Sequence, residues 1–251
     1  MMYLYETHLH TSEGSACGEV PGAAYIDFMK NRGFTGMIVT DHFFNGNCAV
    51  DRSLPWHEKV KLYAAGFHAA KEAAKGKDFD VLFGIEFNFN GDEFLIYGLD
   101  EQWLLNNEDI MDLDRRGVYK KVHEAGGIMV HAHPFRERNY LVDIKLTVDI
   151  CDAIEVYNAS NTDNQNALAY KYAQQLDLPM IAGSDIHYFH EKPMGGVWLP
   201  ERVSDTKDFA KAVIEGKAVP VQVKDGKITP VKDLPEQTEP TGYPSFPVLI
   251  T

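Results

Sequence analysis

The chain has 251 residues, a formal net charge of −13 and 45% hydrophobic residues. Such a length suits one large α/β domain or two small ones, and the ordinary composition excludes a disordered or fibrous chain. The acidic balance argues against nucleic acid and acidic membranes as partners and favours a small substrate.

Seven short apolar runs read as buried strands: Met2–Thr7, Gly36–Thr40, Asp80–Ile85, Gly127–Val130, Ala153–Tyr157, Met180–Ala182 and Gly196–Leu199. Helical stretches lie between most of them. The first, Pro21–Arg32, opens on proline and stops at Gly33. His57–Lys75 ends at Gly76, Arg115–Ala125 at Gly126, and Asp163–Leu176 is polar at its start and then amphipathic. Ser204 is placed to cap a helix running through Ile214. An extra strand is expected over Phe94–Gly98. Strand–helix alternation with short connections predicts a mainly parallel sheet, closed into a TIM-like barrel, with an open doubly wound sheet as the alternative. No glycine-rich phosphate turn follows the first strand, which counts against a dinucleotide-binding version. Residues 1–229 are expected to form this one domain. Residues 230–251, with five prolines from Pro230 to Pro247, are expected to pack on it without regular structure.

Three cysteines (Cys17, Cys48, Cys151) form no CxxC pair, and their odd number argues against a disulfide framework. No apolar run reaches the length of a bilayer span, and no basic region followed by an apolar core opens the chain. A cytoplasmic location without membrane contact is therefore expected.

The chemistry is written at the strand ends. His8 and His10 close the first run, Asp41 and His42 the second, Glu86 the third, and His131 and His133 the fourth, while Asp185 and His187 follow PMIAG. Imidazoles and carboxylates are the usual ligands of zinc, iron and manganese. Their recurrence at one end of successive strands is what an active site on the carboxyl face of a barrel requires. His57, His68, His123 and His190 lie in helical or loop contexts and are read as structural.

Residues two apart on a strand share a face, so His8 with His10, and Asp185 with His187, suit common ions. The set exceeds what one tetrahedral ion needs, which predicts two or three divalent ions, zinc, iron or manganese. Paired ions roughly 3.5–4 Å apart stabilise the attacking and leaving oxygens of phosphoryl transfer and acidify a shared water. No GxSxG elbow offers a covalent nucleophile instead. His131, two residues from His133, is a candidate either as a further ligand or to protonate the leaving group. Arg136 and Arg138, in HPFRER, are candidates to bind a substrate phosphate, Arg136 as a catalytic residue as well, and Asn158 could hydrogen-bond substrate or water.

Taken in order, HLH, TDH, GIE, HP and SDIH resemble the PHP (polymerase and histidinol phosphatase) family over roughly the first two hundred residues. The resemblance implies a distorted seven-stranded barrel and a two- or three-metal centre on its carboxyl face. It assigns one ion to His8, His10, Glu86 and Asp185, with Asp185 also catalytic. It assigns a second ion to Glu86 and His133, and a third to His42 and His187. Asp41 would stand behind these, orienting an imidazole. Two positions depart from the family pattern. The loop after HLH reads TSEGSACG, leaving Glu13 or Cys17 as the possible third-site donor, and in EFLIYG a carboxylate, Glu93, falls where the family often has histidine. The expected function is hydrolysis of a small phosphate ester by metal-bound hydroxide. The alternatives are a non-catalytic metal-binding or regulatory module, or a nuclease.

Overall fold

The structure is a computed structural model and describes residues 2–251. Its strands are β1 (Tyr3–Leu9), β2 (Gly36–Val39), β3 (Asp80–Phe83), β4 (Ile85–Phe89), β5 (Asp92–Tyr97), β6 (Ile128–His131), β7 (Ile144–Leu146), β8 (Ala153–Asn158), β9 (Met180–Gly183), β10 (Met194–Leu199), β11 (Val219–Lys224), β12 (Lys227–Pro230) and β13 (Val248–Ile250). Six of the seven apolar runs read from the sequence fall largely on one strand each.

The pairing differs from the single parallel sheet expected. One sheet has the order β12-β11-β10-β1-β2-β3, a second has β4-β5-β6-β8-β9, and β13 pairs with β7. Within them β1–β2–β3 and β6–β8–β9 are parallel, whereas β10, β11 and β12 add to β1 antiparallel, as β4 and β5 do to β6. Buried strands of either sense read as continuous apolar runs, so the sequence pattern did not distinguish them. Two isolated parallel bridges, Leu9↔Ile186 and His42↔Glu86, join the large sheets.

The run expected over Asp80–Ile85 is two strands. The chain leaves the six-stranded sheet at Gly84 and enters the other at Ile85, so Glu86 sits near the start of β4 rather than at the end of a strand. A side chain at position 84 would crowd Thr40 Cγ2 at 2.9 Å and Ile38 Cγ2 at 3.1 Å, and glycine permits this crossing. The stretch 57–75 forms two consecutive helices, Trp56–Tyr63 and Ala65–Ala73. The cap of the Thr206–Ile214 helix is Asp205, whose carboxylate accepts from the Lys207 and Asp208 amides, and Ser204 instead donates to Asp208. The segment after residue 229 is more regular than expected, with a short helix at Pro235–Thr238 and β13 on β7. Among the described residues no helix is long and apolar enough to cross a membrane.

Candidate metal centre

Glu86 is the hub. Its Oε1 lies 3.2 Å from His8 Nε2 and 3.1 Å from His133 Nε2, and its Oε2 lies 2.6 Å from His42 Nδ1 and 3.5 Å from His10 Nε2. Asp185 Oδ1 closes the other side, 3.0 Å from His10 Nε2 and 3.5 Å from His8 Nε2. The imidazoles of His8, His10 and His42 come from the six-stranded sheet and the loop after β2. Glu86, Glu93, His133 and Asp185 come from the five-stranded sheet and its loops. Two of these residues, His133 (φ 30°) and Asp185 (φ 53°), adopt left-handed backbone just past β6 and β9. That conformation costs a non-glycine residue about 1–3 kcal/mol and persists where surrounding structure imposes it, typically at functional sites.

The same turn corrects the expectation for His131. Side chains two apart share a face only while the strand continues. Here the strand ends at His131 and the backbone turns by His133. His131 is left with Nε2 2.8 Å from Asp92 Oδ1 and its ring stacked on Phe94 in the core, outside the cluster, so it is not placed to protonate a leaving group there. Asn158 is corrected too. It is fully buried, its amide nitrogen donating to Glu155 and its oxygen accepting from Arg136 and Ser160, so it faces no substrate.

Hydrogen bonds behind the cluster fix which imidazole nitrogen carries the proton. His8 Nδ1 donates to Glu155 Oε1 at 2.9 Å, which turns the Nε2 lone pair inward. His10 Nδ1 donates to Ser15 Oγ at 3.0 Å, and that hydroxyl donates to Asp41 Oδ1 at 2.7 Å. Asp41 thus orients His10 through Ser15. His187 Nδ1 donates to the Asp185 carbonyl at 3.0 Å, and its ring stacks on His10 at 4.2 Å. Glu155 and Ser15 carry no signal in an apolar-run reading. The only trace of Glu155 is a carboxylate inside the buried strand AIEVYN.

Buried polar atoms normally find partners. Here His8 Nε2, His10 Nε2, His42 Nδ1, Glu86 Oε2 and Glu93 Oε2 have no hydrogen-bond partner, and all five point into the cluster. Such a donor set fits divalent cations. Four groupings bring ligand atoms within 4.8 Å of one another: His8, Glu86 and His133; His8, His10 and Asp185; His42, Glu86 and Glu93; and His10, His42 and His187. Glu93 therefore faces the cluster, but its Oε2 is also 2.8 Å from Arg138 Nη1 and its Oε1 accepts from Asn88. Glu13 is drawn away, its carboxylate accepting from the Gly22 amide.

Burial opposes charge on every one of these groups, and the neighbours decide the outcome. Burial raises Glu86, but His42 and His8 hold it well below the usual carboxylate range. Asp185 follows the same pattern under His8 and Arg136. Burial lowers His8, and the Asp185, Glu155 and Glu86 carboxylates more than reverse it. His10 stays well below its usual value through burial and the facing His42 and His187. The two carboxylates are therefore ionised and His10 is neutral at ordinary pH. Cys17 lies at the rim, where burial pushes its thiol up and hydrogen bonding with His187 and His42 outweighs it, leaving it at about 6.

A cleft of about 470 Å³ opens over the cluster, its wall including His42, Glu93, Arg136, Arg138, Asp185 and His187. Arg136 is braced on three sides, by an ion pair to Asp185 and bonds of 2.7 Å to Asn158 and Asn161.

Beneath the site, Glu6 is fully buried, accepting from the His8 and Ser184 amides and the Ser184 hydroxyl. Burial raises it from 4.5 to about 7. Folding then takes up a proton between those values, so the stability Glu6 contributes is complete below the lower and lost as pH rises through the upper. Glu6→Gln should flatten that loss. At pH 8 the metal-free variant should exceed the parent by a few kcal/mol, because each pH unit between the two values is worth about 1.4 kcal/mol, with the gap closing at pH 4. Urea unfolding at both pH values measures it, and parallel profiles would refute the assignment.

Residues 163–218 match the PHP-associated family (PHP_C), a stretch that contains Asp185 and His187. A two-domain protein from Bacteroides vulgatus, containing a predicted PHP-like metal-dependent phosphoesterase, superposes with a TM-score of 0.66 at 16% identity over 95% of this chain and 69% of its own. The chain shares the fold of a PHP-like protein. A second structure, a candidate metal-dependent phosphoesterase from Bifidobacterium adolescentis, gives a TM-score of 0.54 at 16% identity, covering 84% of this chain and 96% of its own. At that identity the likeness of this chain to either structure is one of fold. No curated protein matches it.

Proposed function

We propose that this chain is a PHP-type metal-dependent phosphoesterase acting on a small phosphate ester in the cytoplasm. The observation that carries the reading is the convergence of buried imidazole nitrogens and carboxylate oxygens on Glu86 and its neighbours, His8 Nε2 and His10 Nε2 among them without a hydrogen-bond partner. We infer further that the two sheets, joined at Leu9–Ile186 and His42–Glu86, are halves of a distorted seven-stranded barrel, with residues 230–251 packed on it as a tail.

His8, His10, Glu86 and Asp185 would hold one ion, Glu86, His133 and Glu93 a second, and His42 and His187 would contribute to a third. Bound divalent ions supply Lewis acidity toward phosphate oxygens and acidify water at neutral pH. The chain's own part is orientation and charge. Arg136 and Arg138 offer guanidinium forks to phosphate oxygens at the cleft wall. The Asp185, Asn158 and Asn161 braces fix the Arg136 plane before substrate arrives, so little rotamer entropy is lost on binding.

The ion pair of Glu93 with Arg138 favours a second reading, a metal-binding module without turnover, because it sets a fixed cation against a ligand carboxylate. One experiment separates the two. Protein stripped with chelator and reloaded with manganese, iron or zinc is assayed on an aryl phosphate monoester, an aryl phosphate diester and single-stranded DNA. Hydrolysis of an aryl ester that chelator abolishes and metal restores is expected. Tight metal binding with no turnover on any substrate would establish the module, and turnover of DNA alone a nuclease.

A further inference from the structure

We propose that Asn166 is a positioning residue for Arg136, seated in turn by Gln237 from the C-terminal segment. The inference rests on the reading of Arg136 as a phosphate-binding group and extends the site to two residues outside every ligand grouping.

Asn166 lies in the first turn of the helix Asp163–Leu176, whose start is fixed by the capping box of Thr162 and Gln165. It is buried, and its side chain makes four hydrogen bonds, the full capacity of an amide. Oδ1 accepts from the Asn158 backbone amide at 3.0 Å and from Asn161 Nδ2 at 3.1 Å. Nδ2 donates to the Asn158 carbonyl at 3.1 Å and to Gln237 Oε1 at 2.9 Å. The two bonds to the Asn158 backbone allow one orientation only, because a backbone N–H needs an acceptor and a carbonyl needs a donor. That orientation passes outward. Asn161 must turn its Nδ2 toward Asn166, which leaves its Oδ1 facing Arg136 Nε at 2.7 Å. Asn158, held at both backbone groups, presents its Oδ1 to Arg136 Nη2 at 2.7 Å. Both neutral braces of the guanidinium therefore depend on Asn166, one through its amide direction and the other through its backbone. Asn161 is only half-buried, so without the bond to Asn166 its amide can turn and set Nδ2 against the guanidinium.

Gln237 closes the network from the short helix Pro235–Thr238. It is buried, and its Nε2 donates to Asp163 Oδ1 at 2.7 Å, which leaves Oε1 to receive Asn166. Without that oxygen one Nδ2 hydrogen of Asn166 would be buried unpaired. The segment around Gln237 is tied along the same helix. The Thr241 and Gly242 amides donate to Asn164 Oδ1 at 2.8 and 3.0 Å, and Lys171 pairs with Glu239 at 2.9 Å. A chain of amides thus runs from the C-terminal segment to the plane of the guanidinium, each orienting the next.

The test uses zinc-loaded full-length protein and two readouts. The first is the Nε–H signal of Arg136 in proton–nitrogen NMR, identified by its loss in Arg136→Lys. Its exchange with solvent should be slow in the parent and faster by about fivefold or more, the loss of one net hydrogen bond, in Asn166→Leu and in Gln237→Leu. The second is the Kd for inorganic phosphate, read by calorimetry. Asn166→Leu should weaken it by a similar factor, and should weaken it no further when added to Arg136→Ala. If Asn166→Leu fails to fold, Gln237→Leu, one bond further from the site, decides in both readouts. Parental exchange and parental Kd in a folded variant would overturn the inference. Equal losses of phosphate affinity with and without Arg136 would overturn it too, since they mark a merely structural role. A parent that binds no phosphate, with an Arg136 signal that still responds to Asn166, would remove the phosphoesterase reading and leave the positioning standing.

Discussion

Glu86→Gln is expected to strip the centre and abolish hydrolysis. Both oxygens of Glu86 are engaged, Oε1 toward His8 and His133 and Oε2 toward His42 and His10, and the residue takes part in two of the four ligand groupings. Glutamine keeps the shape but offers one ligating oxygen, and its amide nitrogen has no lone pair for a cation. It also removes the charge that holds His8 and His42 above their usual values, so the imidazoles lose their anionic partner as well as a shared ligand. Bound metal should fall by at least one ion per chain. The rate on the best phosphate ester should fall about 10³-fold or more, the equivalent of several kcal/mol of Lewis-acid stabilisation. Elemental analysis and initial rates measure the two separately. Unchanged metal content with a rate within tenfold of the parent would remove Glu86 from the hub.

The second large effect belongs to a residue that touches no ion. Glu155 accepts from His8 Nδ1 at 2.9 Å, from the His133 amide at 2.9 Å and from Asn158 Nδ2 at 3.0 Å, all at full burial. Glu155→Ala leaves three buried donors unpaired at about 1–3 kcal/mol each, enough to lower the melting temperature sharply. Glu155→Gln isolates the electronic role. Its amide nitrogen must face either His8 Nδ1 or both the His133 amide and Asn158 Nδ2, and if it faces His8 it drives the proton to Nε2, the nitrogen that looks into the cluster. Metal affinity should drop about 10–100-fold in the glutamine variant, as for other partners that orient a ligand imidazole, with a smaller loss of stability than in the alanine variant. Competition with a chromophoric chelator reads the affinity. A glutamine variant with parental affinity would show that His8 does not depend on Glu155 for its tautomer. The site also leaves no room for adjustment here: a Cβ at Gly183 would stand 2.6 Å from the His8 Cβ and 2.9 Å from Glu155 Oε1.

The sequence made most of the candidate ligands legible because they lie at or beside the end of an apolar run, and buried imidazoles or carboxylates there must find a partner, whereas Glu86 follows the run only because the chain changes sheet at Gly84. His8, His10, His42, Glu86, His133, Asp185 and His187 all meet in one place for that reason. Three other features stayed hidden on physical grounds. Strand sense leaves no mark on a buried run, so the antiparallel setting of β10 and of β4–β5 was invisible, while β11 and β12 are too exposed to read as apolar runs at all. The left-handed turn at His133 is a backbone event that broke the two-residue periodicity and sent His131 into the core. Glu155 and Ser15 act at one remove, through a hydrogen bond to a ligand, and neither a strand interior nor a loop serine announces that.

The centre sits where the two large sheets meet. Leu9–Ile186 and His42–Glu86 are isolated pairs rather than full ladders, and the residues that converge beside them come from both sides. Cations bound there would act as rivets across the joint. A chain starved of metal would lose those ties and rely on the packing of β9 against β1, β10 and β11 to hold the two sheets together. The lifetime of the protein in a cell would then track the supply of its ions, through the same few atoms that carry its chemistry.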